Sequence, residues 1–479
     1  MRIKSELSNF NKYLPALFAI LVILLRLPYI DSEPASLDEP FTLYWAQKSI
    51  SDIFQLAYNE NNPPLHFLIL HFWMKLFGTS ALSWRLPSLL FSAALTYMGV
   101  VQAGKKSIFS ALIAGILFTL STQQIFFSLE ARSYTLLALL TLLAMQICMN
   151  GINEKQVRLY FLAIISALLI YTHYLSIWVL IAVAITLLTD KTPLKYPGKS
   201  LAALIIFLIL ISPLVLPALQ RIGHMKETGT WVSAPVITQL YGHINLMWNG
   251  ALMTVAAGLT GLTALYINRK NISALIIKRE IGIPFLWFVV IYFGLYIQSL
   301  IFQPVFIPRY LFFASVPLFI FLAMLADEST KLIRKGWVLP LLILICLLPG
   351  LDFSPGRNRD MRTLVNRTLQ LSEGTPLLVC PSHANLGYLC NAFPDLFFNG
   401  MEEAEINKQQ HIFPINSFAE IPDSILNTNA LVYLDADAAF TLPQNGIEEG
   451  LQHYFEEIEI VRIPEIYEVS RWEKPAPGK

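Results

Sequence analysis

Residues 200–219 read SLAALIIFLILISPLVLPAL, a stretch of twenty residues without a charged side chain. A helix needs about 20 mainly apolar residues to cross the roughly 30 Å of hydrocarbon in a bilayer, so this stretch predicts a membrane span. The 479-residue chain shares its character, because 55% of the residues are hydrophobic and only 14% are charged. Soluble domains carry about 25% charged residues. The composition therefore excludes a cytosolic enzyme, a nucleic-acid binder and a disordered scaffold.

Further apolar stretches follow the same pattern and predict about eleven spans, hence a polytopic α-helical membrane protein. The stretch 159–189 divides into two short helices that meet at His173, because one helix of 31 residues would be about 47 Å long. An odd number of spans places the two termini on opposite sides of the membrane. The predicted spans lie near 14–30, 84–103, 107–126, 133–150, 159–172, 174–189, 200–219, 246–267, 281–301, 310–326 and 337–350.

The basic residues orient these spans. Cytoplasmic loops are enriched in Lys and Arg, and one alternating set of loops carries 17 basic residues against 8 on the other set. This bias predicts a cytoplasmic N-terminus and an extracytoplasmic C-terminus, in the plasma membrane or a bacterial inner membrane. The first span is expected to stay uncleaved, because no A-x-A-like site follows it. The net charge is +11 over residues 1–350 and −10 over residues 351–479. We therefore predict a transmembrane domain over 1–350 and a small extracytoplasmic α/β domain over 351–479.

The C-terminal domain has short runs typical of strands at 375–379, 430–434, 458–463 and 466–472, with a helical stretch near 446–457. Two of its features leave alternatives open. Cys380 and Cys390 form a disulfide, which an extracytoplasmic domain permits, or stay two buried thiols. Asp435-Ala-Asp437 resembles the D-x-D motif of nucleotide-sugar transferases, and a solvated turn is its alternative.

Residues 31–84, between the first two spans, are too apolar for an ordinary loop. Phe41–Tyr58 has apolar residues at helical spacing, which is typical of a helix lying in the membrane interface. Leu65–Phe77 is apolar but only 13 residues long, and it predicts a second in-plane or re-entrant helix. Asp38 and Glu39 precede both helices. Adjacent carboxylates suit removal of a proton from a hydroxyl group, and a solvated acidic loop is the alternative.

Polar and charged side chains stand at the predicted outer ends of several helices. Ionisable groups at such positions are costly and indicate function by default. The alternatives are mutual neutralisation of Glu130 and Arg132, an Arg309 side chain that reaches the lipid headgroups, and structural histidines. All of these side chains fall on one predicted side, which favours a cavity for an anionic lipid headgroup. They are His66, Glu130, Arg132, Tyr134, His173 and Arg309.

Five segments resemble, in the same order, the family 39-like membrane glycosyltransferases. This group includes the protein O-mannosyltransferases and the lipid A aminoarabinose transferase, and it shares the GT-C architecture. The segments are LDEPFTLYWAQ (37–47), NNPPLHFLILHFWMKLFGTSALSWRLPSLLFSA (61–93), FFSLEARSYTLLALL (126–140), YTHYLSIWVL (171–180) and FIPRYLFFASVPL (306–318).

The resemblance implies inverting transfer of a sugar from a polyprenyl-phosphate donor on the extracytoplasmic face. The Asp of the family's first outer loop, its proposed catalytic base or acceptor-positioning residue, maps onto Asp38, with Glu39 beside it, and the Arg of the RLPS run maps onto Arg85. The basic residues that aminoarabinose transferases place near the acidic pair and the Pro-Pro step are missing here. We therefore expect Arg132 and Arg309 to neutralise the donor phosphate. The expected substrate-binding residues are His66, Arg85, Glu130, Arg132, Tyr134, His173 and Arg309.

The expected partners are the donor lipid, membrane lipids and an acceptor that is a glycan, a lipid or a protein. No nucleotide is needed, which agrees with the lack of a Gly-rich phosphate loop in the sequence. A divalent cation on Asp38 or Glu39 stays open, and no ligand spacing supports it. Two alternative functions remain at this point: a lipid-linked sugar transporter or flippase, and an oligosaccharide ligase.

Overall fold

The chain forms two compact units in the computed structural model. The first, called here the helical unit, comprises residues 1–30, 50–69 and 85–355. The second, called the mixed unit, comprises residues 31–49, 70–84 and 356–479, so parts of the first outer segment group with the C-terminal residues. The division into a transmembrane domain over 1–350 and an extracytoplasmic domain over 351–479 stays a prediction. The described residues are 2–35, 38–60, 62–152, 156–228, 232–330, 336–353, 360–463 and 467–475.

Residues up to 350 are almost continuously helical, as their hydropathy predicts. Short 3₁₀ helices follow at Leu27–Tyr29, Tyr174–Ser176, Phe312–Ala314 and Leu348–Gly350. The α-helices are α1 (Arg2–Arg26), α2 (Glu39–Ala46), α3 (Ile50–Asn59), α4 (Leu65–Phe77), α5 (Ala81–Gly104), α6 (Ile108–Leu120), α7 (Thr122–Ser128), α8 (Tyr134–Met149), α9 (Arg158–Thr172), α10 (Ile177–Thr189), α11 (Thr192–Lys195), α12 (Pro197–Thr228), α13 (Thr238–Met247), α14 (Ala251–Ile267), α15 (Ile272–Ile277), α16 (Arg279–Ile301), α17 (Pro308–Leu311), α18 (Ser315–Ser329) and α19 (Val338–Leu347).

Each predicted span coincides with helix in the structure. Among the described residues, five helices are long and apolar enough to cross a membrane, and two bent pairs bring the number to seven. The bent pairs are α6–α7, with an angle of 57°, and α13–α14, with an angle of 93°. The other predicted spans are shorter apolar helices. The chain is a multi-pass membrane protein, and the count of eleven spans stays a prediction.

The predicted break at His173 is confirmed. Helix α9 ends at Thr172, and His173 is extended, with φ −163° and ψ 128°. Its Nδ1 accepts a hydrogen bond from the Leu175 N–H at 3.2 Å, which caps the next turn. In the first outer segment, α4 matches the predicted 65–77 helix. The single helix predicted over 41–58 is wrong, because the chain forms α2 and α3 with a break between them.

A buried carboxylate joins the predicted cytoplasmic ends of several helices in the helical unit. Glu328 is 1% exposed and accepts hydrogen bonds from Lys106 at 3.0 Å and from Lys278 at 2.9 Å. Lys106 also contacts Glu280 at 3.1 Å. These ion pairs link the N-terminal end of α6 to α16 and α18.

The substitution Glu328→Gln is therefore expected to destabilise the helical unit. It leaves two lysines without a shared counter-charge, and breaking a buried pair costs about 3–5 kcal/mol. Unfolding of the detergent-solubilised protein by denaturant measures the change in free energy. An unchanged free energy of unfolding would show that water already compensates these charges.

The mixed unit contains a five-stranded sheet in the order β2-β1-β3-β5-β4. Strands β1, β2 and β3 are parallel, whereas β5 is antiparallel to β3 and β4. Apolar side chains from β1, β3 and β5 fill its core, among them Leu378, Tyr433 and Trp472. Its elements are α20 (Met361–Leu371), β1 (Leu377–Cys380), α21 (Asn385–Ala392), α22 (Pro394–Phe398), α23 (Glu403–Gln410), β2 (Ile412–Pro414), α24 (Asp423–Leu426), β3 (Ala430–Ala436), α25 (Ala438–Thr441), α26 (Ile447–Leu451), β4 (Glu456–Ile463) and β5 (Tyr467–Glu473).

The predicted strands of this sheet are confirmed, and one predicted element is wrong. The helix predicted near 446–457 ends at Leu451, because β4 begins at Glu456 and pairs along its length with β5. Cys380 and Cys390 are both buried thiols that form no disulfide, so the disulfide alternative does not hold in this structure.

Candidate active site

A short turn between α7 and α8 carries two charged side chains, Glu130 and Arg132. Helix α6 stops at Ser121, α7 runs at 57° to it, and α8 begins at Tyr134. Between α7 and α8 the N–H of Arg132 donates to the Glu130 carbonyl at 2.8 Å. The turn holds Glu130 and Arg132 at the ends of two helices.

Aromatic rings join Arg132 to Arg309. The Arg132 guanidinium lies 5.8 Å from the Tyr134 ring, and the Arg309 guanidinium lies 5.3 Å from the Tyr310 ring. The His173 ring sits between them, 6.3 Å from Tyr134 and 5.5 Å from Tyr310. We call these five residues the arginine–aromatic cluster. Three separate stretches of the sequence meet in it, as predicted for Arg132, Tyr134, His173 and Arg309.

The two histidines of this region stay uncharged at neutral pH. Burial lowers the pKa of His173 to about 3, and the charges of Arg132 and Arg309 act in the same direction. Burial also lowers the pKa of His66 to about 3, again with a contribution from Arg132. His66, at the start of α4, thus lies within the field of Arg132. Neither imidazole therefore adds to the positive charge of Arg132 and Arg309.

Two other predicted substrate-binding residues of the helical unit are more deeply buried. Glu130 is 5% exposed. Arg85 is fully buried, and its Nη1 donates to the Ile30 carbonyl at 2.9 Å. This bond fixes the point where the first outer segment leaves the helical unit. Substrate binding by Glu130 and Arg85 stays a prediction.

The acidic pair Asp38-Glu39 stands at the start of α2 in the mixed unit. The Asp38 carbonyl accepts bonds from the Thr42 N–H at 3.1 Å and the Thr42 hydroxyl at 3.0 Å. The Asp38 carboxylate does not cap its own helix. Asp38 is half-buried, whereas Glu39 is only 1% exposed. Of the two residues, Asp38 is therefore the more exposed.

His383 is a functional candidate that the sequence analysis missed. It lies in a short 3₁₀ helix, Ser382–Ala384, just before α21, and α21 packs against α2, whose first residue follows Asp38. Burial lowers the pKa of His383, while the charge of Asp38 raises it, so the two groups interact electrostatically. More than 340 residues separate them in the chain, and no local pattern links them.

The lowered pKa of His383 predicts a pH dependence of stability. The unfolded chain binds a proton at His383 as the pH falls through about 6.5, and the folded chain does so only at lower pH. Stability is therefore full above that range and declines below it. In His383→Gln, the thermal midpoint should fall less than in the wild type between about pH 7.5 and 5.5. Equal slopes for the two proteins would contradict the lowered pKa.

Contacts within the mixed unit anchor α2. The Tyr44 hydroxyl donates to Glu402 Oε2 at 2.8 Å, and Lys48 pairs with Glu402 Oε1 at 2.7 Å. The Lys48 ammonium also lies 4.1 Å from the Tyr44 ring centre. The C-terminal residues thereby hold the helix that begins at Asp38.

The D-x-D resemblance fits a turn. Asp435 Oδ1 accepts from the Ala438 N–H at 2.7 Å, and Oδ2 accepts from the Tyr433 hydroxyl at 3.3 Å. Asp437 has left-handed backbone angles, with φ 64°. Both carboxylate oxygens of Asp435 therefore accept hydrogen bonds at the C-terminal end of β3. Within the part of the chain that the structure describes, no group of three or more His, Cys, Asp or Glu side chains could hold a metal ion.

Comparisons with known proteins agree with this architecture. Residues 61–216 match the family model described as dolichyl-phosphate-mannose-protein mannosyltransferase. A search of curated proteins finds no significant match. Crystal structures of ArnT from Cupriavidus metallidurans are similar in fold, in the apo state with a TM-score of 0.60 and bound to undecaprenyl phosphate with a TM-score of 0.57. Each is 12% identical, and each alignment covers 95% of this chain and 97% of ArnT.

The two matches cover different parts of the chain. The family model spans His66, Arg85, Glu130, Arg132, Tyr134 and His173, and the ArnT similarity extends over nearly the whole chain. The matched segment and the ArnT-like fold agree with the family resemblance that the sequence shows.

Proposed function

We propose that this protein transfers a sugar from a polyprenyl-phosphate donor to an acceptor hydroxyl, with inversion, on the extracytoplasmic face of the membrane. The observation that carries the proposal is the arginine–aromatic cluster, in which two guanidiniums flank neutral rings within a GT-C fold. The proposed orientation has a cytoplasmic N-terminus, as the distribution of Lys and Arg predicts. The ArnT structure bound to undecaprenyl phosphate supports a lipid of this class.

In the proposed reaction, Arg132 and Arg309 bind the donor phosphate. The bond between the anomeric carbon and the phosphate oxygen breaks, so negative charge grows on the departing polyprenyl phosphate. Guanidinium groups stabilise such charge through paired hydrogen bonds, and more strongly where water is excluded. His173 and His66 are uncharged, so the phosphate pairs with the arginines and not with a protonated histidine.

The neutral side chains of the same cluster suit the sugar. The rings of Tyr134 and Tyr310 offer flat apolar faces, and the neutral imidazole of His173, whose Nδ1 accepts from the Leu175 N–H, has its Nε2–H left to donate a hydrogen bond. A sugar ring presents the complementary surface, with apolar C–H faces and hydroxyl edges. We assign sugar binding to Tyr134, His173 and His66, and phosphate binding to the two arginines.

Asp38 is the proposed general base. The acceptor oxygen attacks the anomeric carbon as the phosphate departs, and the acceptor proton passes to the Asp38 carboxylate. Attack opposite the leaving group inverts the configuration at that carbon. Glu39 is buried beside the base, and His383 is proposed to orient Asp38, since the two groups interact electrostatically.

Transfer and transport are separated by one experiment in proteoliposomes. A short-chain polyprenyl-phosphate sugar is placed in the outer leaflet, and the assay follows both its movement across the bilayer and its conversion to polyprenyl phosphate. The proposal expects conversion in the presence of acceptor, with movement no faster than in protein-free vesicles. Accelerated movement without conversion would support a flippase instead.

A further inference from the structure

The break between α6 and α7 leaves backbone groups that a continuous helix would satisfy. In an α-helix each N–H bonds the carbonyl four residues earlier. At this break the Thr122 N–H bonds Asn249 Oδ1 at 2.7 Å, and the Gln124 N–H bonds Ser121 Oγ at 3.3 Å. The carbonyls at the end of α6 therefore need other donors. Unsatisfied carbonyls cost several kcal/mol each in a lipid environment.

Arg26 supplies most of those donors. It closes α1, it is fully buried, and its Nη2 donates to the carbonyls of Phe118 and Thr119, both at 2.9 Å. Its Nη1 donates to the Gln124 carbonyl at 3.2 Å and to Ser92 Oγ at 2.6 Å. One guanidinium thus holds the last turn of α6 and the first turn of α7 together.

Asn249, at the bend between α13 and α14, supplies the remaining donor to the end of α6. Its Nδ2 donates to the Leu120 carbonyl at 2.7 Å, while its Oδ1 accepts from the Thr122 N–H. The residue lies between α13 and α14 with left-handed backbone angles, φ 69°. Arg26 and Asn249 therefore satisfy, between them, the three last carbonyls of α6.

Helix α7 is connected to both arginines of the cluster. Arg132 lies in the short turn that follows α7. On the other side, Gln123 Nε2 donates to the carbonyl of Pro308, the residue before Arg309, at 3.0 Å. Gln124 Nε2 donates to Ser315 Oγ, at the start of α18, at 3.0 Å. A shift of α7 would move Arg132 and Arg309 relative to each other.

We propose that Arg26 is a positioning residue for the donor site, because it sets the angle between α6 and α7 and so the spacing of Arg132 and Arg309. The inference rests on the proposed function. Arg26 acts through the fork geometry of its guanidinium, which reaches three carbonyls and a hydroxyl at once. Lysine keeps the charge but cannot replace this fork. The carbonyl end of α6 is the negative end of its dipole, which favours a buried cation there.

The test uses the full chain in detergent with undecaprenyl phosphate as the probe. The variants are Arg26→Lys, Asn249→Ala and the double substitution. Each single variant is expected to raise the dissociation constant roughly 10- to 100-fold, since small misplacements of binding groups have effects of this size. The double variant should raise the dissociation constant by less than the product of the two single effects, because both residues act at the same helix break. Hydrogen exchange of residues 118–132 should rise in both single variants.

Lys106→Met is the matched control, because it disturbs the opposite end of α6. It should lower the thermal midpoint while leaving the dissociation constant unchanged. Wild-type affinity and wild-type hydrogen exchange in Arg26→Lys would overturn the inference. If the wild type does not bind the probe, the proposed donor is wrong, and the exchange of residues 118–132 alone then decides the role of Arg26.

Discussion

Replacing Asp38 with Asn is expected to reduce turnover by roughly 10²- to 10⁴-fold while donor binding is retained. The Asn amide has nearly the shape of the carboxylate but cannot take up the proton that leaves the acceptor hydroxyl. Donor binding is assigned to the helical unit through Arg132 and Arg309, so it should survive. Single-turnover assays with a polyprenyl-phosphate sugar measure the chemical step, and titration with undecaprenyl phosphate measures binding.

Asp52 offers a matched control for this substitution. It is an exposed carboxylate in the same outer segment, at the start of α3. Asp52→Asn should leave turnover unchanged. Substantial turnover in Asp38→Asn, with normal binding, would show that another group accepts the proton. Glu39 would then be the next candidate.

Arg132→Gln and Arg309→Gln are expected to raise the KM for the donor roughly 10- to 100-fold each. Hydrogen bonds to charged groups contribute about 1.5–3 kcal/mol, which corresponds to that range. Turnover should fall as well, because the same charges stabilise the departing phosphate. Steady-state assays at varied donor concentration separate the two effects.

A cation outside the cluster controls for the loss of charge itself. Arg158, at the start of α9, donates to the carbonyls of Asn150 and Gly151. Arg158→Gln should leave the donor KM unchanged. A normal donor KM in both Arg132→Gln and Arg309→Gln would remove the proposed phosphate site. Lysine at either position is expected to restore part of the affinity, since it keeps the charge but not the fork.

Features set by local sequence were predicted well. The spans follow from hydropathy over about 20 residues, and the break at His173 follows from the length of the 159–189 stretch. The strands at 375–379 and 430–434 follow from runs of β-branched and apolar residues. Where local pattern and pairing compete, prediction failed, since the pairing of β4 with β5 cuts the predicted helix at Leu451.

The sequence suggests candidate residues for the site but not the contacts between them. Arg132, His173 and Arg309 stood out because charge at a helix end is costly in a membrane. Arg26 has the same signature, yet in the sequence it counts only as one more outer cation. Its role depends on carbonyls about 90 residues away, which only the folded chain brings together. His383 was hidden for the same reason.

The most direct measurement is the fate of lipid-linked sugars in the presence of the purified protein. Wild type and Asp38→Asn are incubated side by side with a total polyprenyl-lipid extract and candidate acceptors, and polyprenyl-phosphate sugars are followed by mass spectrometry. We expect the wild type alone to deplete one lipid-linked sugar and to release polyprenyl phosphate. If both proteins bind such a lipid and neither consumes it, the protein is not a transferase for these lipids.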